Sequence, residues 1–77
     1  MNKIRRKKLQ EIIDRANSIL CVLEELKEEE EAYRDNIPEN LHNSERYEKA
    51  ETACDSLYEA ISYLEEVTQN IEIAIEC

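Results

Sequence analysis

The chain has 77 residues, 19 acidic and 10 basic, for a net charge of −9, and contains no Gly, Trp or Phe and a single Pro. That length allows one small domain. Lack of Gly excludes phosphate-cradling glycine loops and the tight turns of hairpin-rich sheets, whereas an apolar content of 42% is too high for a disordered chain.

In chain order, the first feature is basic: Lys3, Arg5, Arg6, Lys7 and Lys8 are five of the ten basic residues. Clustered Lys and Arg can serve a nucleic-acid or anionic-lipid contact. The alternative is internal neutralisation by Glu65, Glu66, Glu72 and Glu76 of a returning segment. We expect the second, because the rest of the body is strongly acidic and no aromatic stacking residues lie beside the cluster. Nucleic acid is therefore not expected as a partner.

A first helix is predicted over about 2–34. Leu9, Ile12, Ala16, Ile19, Leu23, Leu26, Glu30 and Tyr33 follow alternating spacings of three and four, the signature of a coiled-coil seam. Its last third is crowded with Glu24, Glu25, Glu28, Glu29, Glu30 and Glu31. With Asp35 and Glu39 these residues form an acidic knob, of which Glu24, Glu25, Glu28, Glu29, Glu31, Asp35 and Glu39 are the candidate surface for a basic protein partner. Glu30 falls on the seam, where a carboxylate needs a partner, and Arg34 or Arg46 is expected to supply one.

A loop is predicted over about 35–43. It contains Pro38, which disfavours helix at Ile37. His42 has no companions that would make a catalytic set and is expected to be an exposed loop residue.

A second helix is predicted over about 44–76, capped by Asn43 or Ser44, with Glu45 and Glu48 in its first turn, where negative charge suits the helix dipole. Tyr47, Ala50, Cys54, Leu57, Ile61, Leu64, Thr68, Ile71 and Ile75 form its seam. The fold class is all-α: two long helices in an antiparallel coiled-coil hairpin. In the expected register the chain folds about Asn40, so that Tyr33 faces Tyr47, Leu26 faces Cys54, Ile19 faces Ile61 and Ile12 faces Thr68.

Apolar residues also flank the seams, namely Ile13 and Leu20 on the first helix, Tyr58 beside them, and Ala53, Ala60, Val67 and Ala74 at intervals of seven on the second. A stripe wider than a two-helix seam calls for burial against more helices, most simply a second copy in a four-helix bundle. Ile13, Leu20, Ala53, Tyr58, Ala60, Val67 and Ala74 are thus the candidate oligomer interface.

Cys21, Cys54 and Cys77 are odd in number, and no CxxC pair accompanies them, so neither a disulfide framework nor a metal site is expected. There is no apolar run long enough for a membrane span and no signal-peptide core. A cytoplasmic location is therefore expected, without membrane association.

The segment Asn36-Ile37-Pro38-Glu39-Asn40-Leu41, followed by Ser44-Glu45-Arg46-Tyr47-Glu48-Lys49-Ala50-Glu51, resembles a pattern in short, uncharacterised acidic helical-hairpin proteins of bacterial and prophage genomes. The resemblance covers the loop and the flanking helices and implies a small accessory protein without assigning any residue a role. Taken together, these readings point to a non-enzymatic, homo-oligomeric interaction module that needs no cofactor. The competing expectation is a phage-type acidic inhibitor that mimics nucleic acid and blocks a host nucleic-acid-binding protein.

Overall fold

A computed structural model describes residues 1–77. Helix α1 runs over Lys3–Asp35, a single 3-10 turn covers Glu39–Leu41, and helix α2 runs over Glu45–Glu76. The two helices pack side by side as an antiparallel hairpin, a rod 59 Å long and 15 by 13 Å across.

Local chemistry sets the ends of each helix. Asn2 accepts the Arg5 amide at 2.8 Å and caps α1, and Ser44 Oγ accepts the Tyr47 amide at 3.2 Å and caps α2. Each cap satisfies one of the amides that a helix N-terminus leaves without a partner. At the exit of α1 the Asn36 amide donates to the Ala32 carbonyl and the Ile37 amide to the Arg34 carbonyl, both at 3.1 Å. Pro38, which has no amide hydrogen, then turns the chain away from the helix axis with φ −56° and ψ 145°. The reversal uses no residue at positive φ. That is how a chain without Gly makes its only sharp turn.

On α2 the seam is as expected: Ala50, Cys54, Ile61 and Thr68 are buried, and Tyr47, Leu57, Leu64, Ile71 and Ile75 are half-buried. Thr68 is the one buried polar residue, and its hydroxyl donates to the Glu65 carbonyl at 2.7 Å.

On α1 the expected face is rotated by one residue. Leu9, Ala16, Leu23 and Glu30 do face α2, but their companions are Ile13, Leu20, Lys27 and Arg34, followed by Ile37. Ile13 is 3% exposed and Leu20 9%, whereas Ile12, Ile19, Leu26 and Tyr33 are 43–53% exposed. The pairings expected for Ile12, Ile19, Leu26 and Tyr33 are therefore incorrect. Both choices share every seventh residue and differ only in the position between. The correct one is carried through by Ile37, which the turn buries to 3% exposure.

The register moves as well. His42 meets the Ile37 carbonyl at 3.2 Å through Nε2 and stacks on Tyr47, with ring centroids 4.2 Å apart. His42 is therefore a half-buried plug and not the exposed loop residue expected. The Lys27 ammonium lies 5.8 Å from the centre of the Tyr58 ring, whereas a fold about Asn40 would set Tyr58 beside Val22. The chain reverses around His42.

Candidate functional site

Antiparallel packing of two seven-residue repeats gives the hairpin two flanks, since the positions just before the seam on both helices share one side and those just after it share the other. Two observations fix which is which. On one flank the Arg46 Nε donates to the Tyr33 hydroxyl at 2.7 Å, with the guanidinium 5.1 Å from the ring centre. On the other, Glu24, Lys27, Glu28, Tyr58, Ser62 and Glu65 line a shallow groove.

The first flank is apolar. Helix α1 gives it Ile12, Ile19, Leu26 and Tyr33, with Val22 beside them, all exposed. Helix α2 gives it Ala53, Ala60, Val67 and Ala74, with Tyr63 beside them. Large side chains thus line one helix and small ones the other. The charged residues at the same helical positions are Arg5, Lys8, Arg15 and Glu29 on α1 and Arg46 and Lys49 on α2, so Glu29 is the only one of 19 acidic residues placed there. The second flank is polar, and holds Gln10, Asn17, Glu24 and Glu31 from α1 and Glu51, Tyr58, Glu65 and Glu72 from α2.

The expected interface residues fall into three groups. Ala53, Ala60, Val67 and Ala74 lie together on the apolar flank. Ile13 and Leu20 do not, because they are spent on the hairpin's own core. Tyr58 lies on the polar flank beneath Lys27. Conversely, the residues placed in the core by the sequence reading, Ile12, Ile19, Leu26 and Tyr33, supply the exposed row. Their spacing of seven was the available signal.

The ion pairs are local. Lys27 meets Glu31 at 3.6 Å, Arg34 meets Asp35 at 3.0 Å and Lys49 meets Glu45 at 3.0 Å, each within one helix. Glu30 gains no partner from Arg34 or Arg46, contrary to expectation. The hydrogen bond to Asp35 holds the Arg34 pKa above its ordinary value. Of the acidic-surface candidates, Glu24, Glu25, Glu28, Glu29, Asp35 and Glu39 are exposed, and Glu31 is half-buried beside Lys27. At the opposite end Lys3, Arg5, Arg6, Lys7 and Lys8 are exposed and make no direct ion pair with Glu65, Glu66, Glu72 or Glu76.

All three cysteines are free. Burial pushes the Cys54 thiol above its usual range, and Arg34 only partly opposes this. A thiol held neutral is a packing group and a poor nucleophile. No cluster of His, Cys, Asp or Glu is arranged to hold a metal ion, and no helix is long and apolar enough to cross a membrane.

Comparison with protein-family models, with curated proteins and with solved structures finds no match to this chain.

Proposed function

We propose that this protein is a non-enzymatic, homo-oligomeric interaction module that joins protein surfaces. The observation that carries this reading is the apolar flank: a row of exposed Ile12, Ile19, Leu26 and Tyr33 on a chain whose net charge is −9. A strongly charged monomer gains nothing from such a row, since exposed contiguous apolar surface favours association. The core also supports it. Only eight residues are buried, and Ala16, Ala50, Cys54 and Thr68 are four of them, so one hairpin hides little apolar surface against the entropy of ordering the chain. Sedimentation velocity from about 1 to 100 µM tests the reading, since association of this kind depends on protomer concentration. A dimer or larger species is expected, and a folded monomer throughout overturns it.

A second reading has its own support. Residues 23–61, the half nearest the turn, carry 13 acidic against four basic residues. Such a surface suits an inhibitor that imitates the charge of nucleic acid toward a basic protein groove. A basic protein held by this chain should then be released by duplex DNA and by added salt. Retention in both would remove this reading.

A further inference from the structure

We infer that the apolar flank is the seat of a second copy of this chain, flank against flank with the turns of the two hairpins at opposite ends, so that α1 lies antiparallel on the partner's α1 and α2 on the partner's α2. The inference deepens the self-association reading above and rests on it.

Area and charge carry it. A strip 59 Å long and 15 Å wide is roughly 900 Å² in projection, which reaches the ~800 Å² per partner of a standard interface. An isologous dimer brings the same patch of both copies together, and two rods that meet through one flank then have two ways to lie. A two-fold axis along the rods puts the turns at the same end and α1 on the partner's α2. A two-fold axis across them puts the turns at opposite ends and each helix on its own copy.

Charge selects the second. Residues 23–61 hold four basic and 13 acidic residues, and residues 1–22 with 62–77 hold six of each, so the turn half carries the whole net charge of −9 and the terminal half none. Turns at the same end would lay two strongly negative halves side by side. Turns at opposite ends set each negative half against a neutral one. They also bring Lys3, Arg5, Arg6, Lys7 and Lys8, which make no ion pair within their own chain, toward the acidic turn of the partner. Like charges repel and unlike attract most strongly where water is partly excluded.

The exposed face of α1 complements itself in this sense. From Arg5 to Tyr33 it steps alternately by three and four residues, the spacing of a second seam. Its basic members, Arg5, Lys8 and Arg15, lie toward the termini, and its one acid, Glu29, lies toward the turn. Full overlap of the rods puts the two-fold axis beside Ile19 and Val22, near the middle of Lys3–Asp35. Ile19 then meets the partner's Val22, Lys8 is level with the partner's Tyr33, and Arg15 comes within one helical turn of the partner's Glu29. Packing follows the side chains, since helix axes approach to ~8 to 10 Å according to what lies between them. The Ala53, Ala60, Val67 and Ala74 rows let the two α2 helices come close, and the Ile and Leu rows hold the two α1 helices further apart.

Pulsed electron paramagnetic resonance tests the direction, with spin labels on Cys77 of the Cys21→Ser variant, Cys54 being buried. Opposite turns put the two labels about 40 Å apart along the rods, at ~1.5 Å of rise per residue. Turns at the same end bring them within about 20 Å, two helix widths. The long distance is expected, and the short one overturns the arrangement even though the protein self-associates. Sedimentation tests the flank. Ile19→Glu, at a side chain exposed on the hairpin, is expected to weaken the dimer at least tenfold, and Tyr58→Glu on the other flank to leave it unchanged. The reverse order assigns the interface to the polar flank and overturns the inference. A parent that stays monomeric removes the self-association reading itself.

Discussion

In the half of the rod next to the termini, α1 gives the seam Leu9, Ile13, Ala16, Leu20 and Leu23; in the half next to the turn it gives Lys27, Glu30 and Arg34. The fold is the same on both sides of that division, but the interior differs. In the terminal half two apolar seams meet, and burial supplies the stability. In the turn half, Lys27, Glu30 and Arg34 are only half-buried, as long side chains with charged ends are, and Lys27 reaches Glu31 and the Tyr58 ring. There the turn itself does much of the fastening, through Ile37, His42 and Tyr47. A helix of one continuous phase can therefore be held at one end by its core and at the other by its cap.

The sharpest test of that difference is Ile13→Ala. Because Ile13 is 3% exposed in the apolar half, this change should cost about 2 to 5 kcal/mol. Urea denaturation followed by circular dichroism reads it, and Lys27→Ala at the equivalent seam position of the turn half should cost under about 1 kcal/mol. Equal losses would erase the distinction between the halves.

A smaller and opposite effect is expected of Lys27→Leu. Extending the apolar seam by one half-buried side chain should stabilise the hairpin by about 1 kcal/mol, seen as a higher urea midpoint. A lower midpoint would show that the Lys27 contacts with Glu31 and Tyr58 outweigh apolar burial at that position.

The smallest expected effect concerns pH. Burial raises the Cys54 pKa above its ordinary value of 9.0. The folded chain therefore keeps the thiol protonated at a pH where the unfolded chain releases the proton. The sign follows from linkage: this contribution is fully present below the unfolded pKa and is lost as pH rises through the folded one. Above about pH 9 the parent should lose melting temperature more steeply than Cys54→Ala. Parallel curves for the two would place the thiol in water.

The helical hairpin, the Ser44 cap of α2 and the seam of α2 are legible in the sequence, because the first two depend on local chemistry and the third on a period of 3.5 residues. Ala50, Cys54, Ile61 and Thr68 are where spacing puts them. On α1 two phases satisfy the period equally well, one through Ile12, Ile19, Leu26 and Tyr33 and the other through Ile13, Leu20, Lys27 and Arg34. Counting apolar residues favours the first, and the interior uses the second.

Composition and spacing alone determined that this chain is an acidic, glycine-free pair of long helices with one break at Pro38, for such properties follow from residues near one another in sequence. Tertiary structure decided which of two apolar rows on α1 became the core and which stayed outside, and hence where the candidate surface lies. The physical reason is that helix phase on α1 is set by a distant event, the burial of Ile37 as the chain reverses, where His42 meets the Ile37 carbonyl and stacks on Tyr47. A seam that must run unbroken into that turn takes Arg34 and Lys27 with it, and leaves Tyr33 and Leu26 on the outside.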